Sequence, residues 1–430
     1  MIKQYFLQAL SQLRQQPLIS LVTVAGTALS ILLIMLVVMI QQVQVEPFAP
    51  ESNRDRMLHV KWQSLSNEEW GDGTSNGPWS ASALREVYGG LTTAEAVTIY
   101  SVWTAPMPVS LPGQPARSVD ARTTDADFWH VFDFAFVDGK PYGEADVRSG
   151  LPVAVMTESV ARALFGTVQA AGREFLLAHA PFRVAGVVKD VSTLASTAYS
   201  QLWVPYTAMD EESSTWNDGL AGMMSCTILA KTRDDFPAIR EECNRRLAAF
   251  NTTISEQGWK IVDRNRPYDQ EKNALSFGAN YEPDVRQARR QRWVTFAILL
   301  LVPAINLSSM TQSRLRQRVS EIGVRRAFGC TRAELIGQLL WENLIVTLLA
   351  GVLGLLLSLA FAYGGSHLLF AQEYSQTLNP PAVDASILIH ASTFGWALLF
   401  CFVLNLLSTG IPAWRAARMN VVEAIGGRLH

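Results

Sequence analysis

Cysteine is scarce in this chain. Its 430 residues hold four, Cys226, Cys243, Cys330 and Cys401, and no two share a CxxC spacing, so neither a zinc ribbon nor a dithiol redox centre is encoded. No HExxH string occurs, and His59, His130 and His179 stand alone in sequence, which leaves no metalloprotease pattern. The phosphate-cradling string G-x-x-x-x-G-K-[ST] is also missing. Net charge is nearly absent: 36 basic residues against 38 acidic ones leave −2, which gives no case for a nucleic-acid partner. Charge is wholly missing from four long runs, 17–40, 293–311, 343–372 and 385–414.

Those runs set the architecture. A bilayer core is roughly 30 Å thick, and about 20 apolar residues in a helix cross it. The first run is longer than the 7–15-residue apolar core typical of a signal peptide and has no clear small-residue cleavage site, so it reads as a retained span. Ahead of it, residues 1–16 place Ile2, Phe6, Ala9, Leu10 and Leu13 on one helical stripe. This fits either a helix lying in the membrane interface or an extension of the first span. Within that span Gly26 and Ser30 stand four apart, a spacing that permits close helix contact. The expected fold is an α+β membrane protein with four transmembrane helices, one N-terminal and three C-terminal, and a large extracytoplasmic α+β domain between the first and second. The expected segments are an interfacial helix 1–16, spans 17–40, 293–311, 343–363 and 391–412, an outer domain 41–292, a cytoplasmic region 312–342, an outer loop with the start of a span 364–390, and a tail 413–430.

Charge orients the chain. Arg314, Arg316, Arg318, Arg325, Arg326 and Arg332 lie between spans two and three, Arg415, Arg418 and Arg428 in the tail, and Lys3 and Arg14 at the start. The positive-inside rule places all three regions, and both termini, in the cytoplasm. Glu373 and Asp384, with no basic residue between them, suit the opposite side. Arg286, Arg289, Arg290 and Arg292 run against the rule, but long translocated domains largely escape it. Trp293, Tyr363 and Trp414 fall near span ends, where amphipathic rings settle.

The outer segment reads as α+β. Residues 57–62, 152–156, 182–189, 201–206 and 225–232 have strand composition. Residues 157–165 read as a helix with Thr157 as N-cap and Gly166 just past its end, and 234–250 as a longer helix. A helix from about 281 to 292 is expected to continue into span two. Gly71, Gly73, Gly77 and Pro78 mark 66–80 as a mobile loop. Cys226 and Cys243 are either a disulfide, if this segment lies outside the cytoplasm, or two buried thiols. Asp125, Asp127, Asp133 and Asp138 crowd around Trp129 and His130, which fits turn-forming carboxylates better than a metal site. No catalytic residue, metal or cofactor is expected.

The most specific string lies between spans two and three, Ser320–Glu342. Glu321 and Arg325 are four apart in the favourable order. Gly329 suits a left-handed helix end, and Thr331 with Glu334 has the form of a capping box. The pattern predicts two short helices, the second placing Leu335, Ile336, Leu339 and Leu340 on one face toward the membrane interface, with Arg325 and Arg326 in water. From the residues alone this is either a helix built to be pushed by a partner or a helical topology anchor.

The string resembles the coupling region of the MacB/FtsX-like ABC transporter permeases. It matches their form E-I-G-x-R-R-A-x-G-x-T at Glu321, Ile322, Gly323, Arg325, Arg326, Ala327, Gly329 and Thr331, followed by Glu342, Gly351 and Gly354. Pro412–Arg418 and Val422–Ile425 resemble the family's terminal motif, and 152–166 and 182–206 its periplasmic core domain. Cys330 and Val421 depart from the usual alanine and proline. The resemblance implies a bacterial inner-membrane permease whose ATPase-coupling residues are Glu321, Gly323, Arg325, Arg326, Gly329 and Thr331. It also implies a separate ABC ATPase subunit, a second permease copy forming a homo- or heterodimer, and transmission of motion to a periplasmic domain. Export of periplasmic substrates, with an adaptor and an outer-membrane channel as partners, is one implied role. Control of a cell-wall hydrolase and lipoprotein extraction are others. Because the spans hold almost no ionisable side chain, a solute path through them is not expected.

Overall fold

The structure, a computed structural model, describes residues 17–365 and 391–418 apart from Asp72, Glu212 and Arg318. The stripe at 1–16, the loop carboxylates Glu373 and Asp384, and the motif at 422–425 lie outside those residues. The first apolar run forms α1 (Pro17–Val45). Two compact units emerge among the described residues, a helical one holding α1 up to Gln42 with 286–365 and 391–418, and a mixed one running from Val43 to Val285.

The mixed unit is built on β-rich segments. Its first half supplies β1 (Met57–Val60), β2 (Gln63–Asn67), β3 (Thr74–Gly77), β4 (Ala96–Ser101), β5 (Ala105–Ser110), β6 (Arg117–Thr124) and β7 (Phe136–Gly139). The second supplies β8 (Val153–Thr157), β9 (Glu174–Leu177), β10 (Ala180–Val188), β11 (Leu202–Pro205), β12 (Met224–Leu229), β13 (Trp259–Ile261) and β14 (Tyr268–Asp269). Three longer helices accompany them, α2 (Ala81–Tyr88), α3 (Glu158–Phe165) and α4 (Phe236–Ile254).

The main sheet runs β11-β8-β10-β9-β5-β6-β4-β12-β1-β14, and β11 pairs a second time, in parallel, with β6. That second pairing closes β6, β5, β9, β10, β8 and β11 into a ring, which removes free strand edges there. The ring gathers Val109, Phe175, Phe182 and Leu202 into one apolar cluster, joined by Val160 and Ala161 of α3. A second cluster joins β4, β12 and β1 to α2 and α4 through Ile99, Ile228, Val87 and Ile239.

The strands expected from composition appear within a few residues of their places. Gly166 takes φ +72°, as its place past a helix end requires. Thr157 holds the N-cap position of α3, but its hydroxyl meets Ser159 Oγ at 3.2 Å, and the free Ser159 N–H goes to Asp190 Oδ1 at 3.0 Å instead. Residues 66–80 are not an open loop. β2 and β3 form a hairpin in register Gln63↔Gly77 to Ser66↔Thr74, and β13 pairs on the other side of β2. Its polar side chains hide the pattern: the Ser64 hydroxyl lies 2.7 Å from the Ala279 carbonyl oxygen and 2.8 Å from Asn76 Oδ1, with one proton to share between them. Cys226 and Cys243 are both buried and free, so the structure holds thiols and no bridge.

One buried carboxylate locks α4 in place. Glu242 accepts from Thr92 N (2.9 Å), Thr92 Oγ1 (3.1 Å), Thr93 N (3.0 Å) and Thr93 Oγ1 (2.6 Å). Burial alone would push this carboxyl up; the bonds from both threonines outweigh it and hold it down at about 2, against 4.5 ordinarily. A depressed carboxyl stabilises the fold above its unfolded pKa and loses that contribution as pH falls through the folded one. The window is therefore pH 4.5 down to about 2. Full loss amounts to about 3 kcal/mol at 1.36 kcal/mol per unit. Glu242→Gln is expected to melt lower than the parent at pH 7, and the gap should close across that window. A gap independent of pH would show that the carboxylate charge is not what the threonines recognise.

The helical unit continues with α5 (Val285–Gln317), α6 (Val319–Ala327), α7 (Arg332–Gly364) and α8 (Ala391–Arg418). Val24–Val45 and Arg332–Gly364 are each long and apolar enough to cross a bilayer. α5 starts at Val285, just after Pro283, rather than at 281, and does continue unbroken into the apolar run. The two short helices expected at 320–342 are corrected: the second is simply the first turns of α7, which runs 33 residues without a break. Nothing between Glu342 and Asn343 is a helix breaker, so the shift from amphipathic to apolar composition does not interrupt the hydrogen-bond ladder.

Glycines bring these helices together. A Cβ at Gly354 would lie 2.7 Å from the Ala28 carbonyl oxygen and 3.0 Å from Ile31 Cβ, and one at Gly351 would lie 2.5 Å from Cys401 Sγ. α7 thus approaches α1 and α8 at distances only glycine allows. Ser30 spends its hydroxyl on the Gly26 carbonyl at 2.9 Å within α1.

Candidate functional site

The string singled out in sequence folds into a compact helical corner at α6 and the start of α7. Its two ends are fixed by local chemistry. Gly329 adopts φ +97°, the Cys330 N–H donates to the Arg325 carbonyl and the Gly329 N–H to the Arg326 carbonyl, each at 3.1 Å. This pair of bonds is the Schellman closure, and it satisfies carbonyls that the helix end would leave bare. Two residues on, Thr331 Oγ1 accepts from Glu334 N at 3.3 Å while Glu334 Oε2 accepts from Thr331 N at 2.9 Å. The turn Phe328–Thr331 is therefore clamped from both sides.

One face of the corner is apolar and buried. Leu315, Ile322, Leu335, Leu339 and Ala413 form one cluster, with Ile336 against it. The face of α7 assigned to the membrane interface is thus spent on α5, α6 and α8. Helix–helix packing within the unit wins because Leu335 is 2% exposed and Leu339 8%, which leaves little of either for lipid. Gly323 lies on the same buried side of α6. The opposite side is open, with Glu321, Val324 and Ala327 exposed and Phe328 bare to 89%.

Arg325 is not simply in water. Its Nη2 meets Glu321 Oε1 at 2.5 Å, as the spacing predicted, and its Nη1 donates to Gln338 Oε1 at 3.0 Å. Gln338 Nε2 in turn donates to Glu342 Oε1 at 2.9 Å, and Glu342 is only 5% exposed. Arg326 is half-buried. The structure therefore joins Glu321 to Arg325, leaves Gly329 and Thr331 as the turn that follows, and sets Gly323 on the packed face. Gln338 was missed in sequence. Its i, i+4 spacing to Glu342 was visible, but its bond to Arg325 joins two helices and was not. Higher up, Asn405 Nδ2 donates to the Leu340 carbonyl at 3.2 Å and ties α8 to α7.

The mixed unit offers no competing constellation among the described residues. Asp125 is fully occupied, accepting from Thr98 Oγ1 (2.7 Å), Ile99 N (2.6 Å) and Phe128 N (3.1 Å), while burial pushes its carboxyl up to about 7. Asp133 takes the Ser52 hydroxyl at 2.7 Å, and Asp138 the Ala171 N–H at 2.8 Å. These carboxylates stitch loops to strands. Gly73–Gly77 has the form G-x-S-x-G, but a nucleophile elbow needs a strand-to-helix turn. Ser75 instead lies in the β2–β3 hairpin and accepts from Asn217 Nδ2 at 2.9 Å.

The chain matches two family models, the MacB-like periplasmic core domain over residues 18–246 and the FtsX-like permease C-terminal region over residues 293–421. It is similar to the pyoverdine export ATP-binding/permease protein PvdT of Pseudomonas fluorescens (strain Pf0-1), 25% identical over 310 residues, covering 70% of this chain and 42% of that protein. It is also similar to the macrolide export ATP-binding/permease protein MacB of Escherichia coli (strain K12), 23% identical over 315 residues, covering 72% and 43%. The chain spans less than half the length of these relatives. The solved periplasmic region of MacB from Actinobacillus actinomycetemcomitans aligns with a TM-score of 0.35 at 16% identity, covering 48% of this chain and 88% of that one.

Proposed function

Because the chain belongs to the MacB/FtsX-like family of ABC transporter permeases, we propose that it is the permease subunit of a mechanotransmission-type transporter in the bacterial inner membrane. In this reading α1, α5, α7 and α8 are four spans, both termini and the α6 corner face the cytoplasm, and the mixed unit is periplasmic. ATP hydrolysis takes place on a separate ABC ATPase, and two permease copies, identical or not, share the work. The ATPase bears on α6, with Glu321, Gly323, Arg325, Arg326, Gly329 and Thr331 as the coupling residues. Their motion reaches the periplasmic unit, which acts on substrates there. Export is favoured over control of a wall hydrolase because the relatives in hand are named for pyoverdine and macrolide export.

The observation that carries this reading is the α6 corner. It is short, closed by a Schellman turn and a capping box, packed underneath on three neighbouring helices, and open on the face that carries Phe328. A rigid body that exposes Val324, Ala327 and Phe328 together suits contact with a protein better than it suits a bare topology anchor.

Cys330 supplies the test. It is half-buried in the turn itself, whereas Cys226, Cys243 and Cys401 are buried. With those three replaced, an impermeant maleimide added to intact cells is expected to leave Cys330 unmodified and to label it once the inner membrane is permeabilised. Ready labelling before permeabilisation would place the corner outside and end this reading.

A further inference from the structure

The hydrogen bonds between α6 and α7 have a direction. Arg325 can only donate, and Glu342, as a carboxylate, can only accept. Between them stands Gln338, whose amide oxygen accepts from Arg325 at 3.0 Å and whose amide nitrogen donates to Glu342 at 2.9 Å. An amide is suited to bridge a cation and an anion in this way, because it offers an acceptor and a donor at one side-chain tip. A carboxylate here would face Glu342, an ammonium would face Arg325, and an apolar group would abandon both. Glu342 is 5% exposed, so the bridge enters the packed interior of the unit rather than running along its surface.

On the proposed function given above, we propose that Gln338 is a positioning residue that latches the coupling helix to α7, so that a push on α6 moves α7 with it. Without the latch, α6 is still held by the apolar contacts of Ile322 with Leu335 and Leu339, which resist separation but not sliding or rotation. Directional hydrogen bonds resist both. Arg325 meets Glu321 of its own helix as well, so the guanidinium fork is set before it reaches across.

Two measurements on the full-length chain in lipid nanodiscs test this. With the four native cysteines replaced, a spin label at Val324→Cys, on the exposed face of α6, reads the latch itself without any partner. Gln338→Met, close in volume and without polar atoms, should make that label more mobile. In the complex with its copurifying ATPase, the same variant should reduce permease-stimulated ATP hydrolysis on the order of tenfold, the size seen for residues that carry coupling between sites. Complex formation and melting temperature should stay near the parent's. Combining Gln338→Glu with Glu342→Gln restores both bonds with the charge moved one turn, since the new carboxylate accepts from Arg325 and from the new amide. It should recover label immobility and stimulation together, which repair of a merely structural defect would not do selectively. An unchanged label spectrum in Gln338→Met overturns the latch. A mobile label with stimulation intact overturns its role in transmission. A parent complex with no stimulated hydrolysis at all, but an immobile label, overturns the functional reading and the transmission role with it.

Discussion

Replacing Arg54 by alanine is expected to cost the mixed unit about 3–5 kcal/mol, the range for breaking a buried ion pair from one side. Arg54 is 2% exposed and Glu51 1%. Arg54 Nε meets Glu51 Oε2 at 2.6 Å, Nη1 donates to the carbonyls of Val43 (2.6 Å) and Glu46 (3.1 Å), and Nη2 donates to that of Leu194 (3.2 Å). Its guanidinium also lies 4.2 Å from the centre of the Phe48 ring. Glu51 spends its other oxygen on Thr197 N (2.9 Å) and Ala198 N (2.8 Å). One buried pair therefore joins 43–46, the segment around Phe48 and the 194–198 loop. Alanine would leave Glu51 buried and without its cation, and would take one donor each from the carbonyls of Val43, Glu46 and Leu194. Arg54→Lys should lose less, because it keeps the charge but gives up the fork. Denaturant unfolding of the full-length chain in detergent, followed by near-ultraviolet tryptophan signals, reads the difference. A loss under about 1 kcal/mol for alanine would mean that water reaches Glu51 once the arginine is gone, since exposed pairs contribute no more than that.

The second large effect is on activity. Arg325→Glu with Arg326→Glu is expected to lower permease-stimulated ATP hydrolysis by about tenfold or more, a change of roughly 1.4 kcal/mol or above in the stimulated step. Both arginines lie in the last turn of α6, where cations favour the helix dipole and anions oppose it. Glutamate at 325 would also face Glu321 one turn back and the Gln338 carbonyl oxygen, so attraction becomes repulsion on both sides. The exposed Glu321–Arg325 pair is worth little by itself, about 0.3–0.5 kcal/mol. The expected loss therefore comes from the bond to α7 and from the surface presented to the ATPase. Reconstituting the double variant with the ATPase and measuring turnover settles the matter. Undiminished stimulation would remove α6 as the point of coupling.

Much of the site could be read in sequence because its rules are short-range. A glycine at the end of an amphipathic stretch predicts a left-handed residue, and Gly329 has one. A threonine three residues before a glutamate predicts reciprocal bonds, and Thr331 with Glu334 makes both. Glu321 and Arg325 meet because four residues make about one helical turn. The order of one long apolar helix, a polar domain and further apolar helices was likewise legible, because absence of charge over about 20 residues is a local property.

What sequence could not supply was anything that depends on residues far apart in the chain. Residues 66–80, which hold the end of β2 and all of β3, passed for a loop, because both strands are polar, Gly71 and Gly73 stand between them, and β2 is covered on its other side by β13, nearly two hundred positions on. The ring closure of β11 on β6 and the bridge from Arg325 through Gln338 to Glu342 were invisible for the same reason. The leucine face of α7 was assigned to the membrane interface, when Ile322 and Ala413 cover it. Capping thus determined where α6 ends and α7 begins, and composition determined which runs are long and apolar. The tertiary structure alone decided what each face meets, because a buried contact is set by the neighbour that arrives and a sequence window does not contain that neighbour.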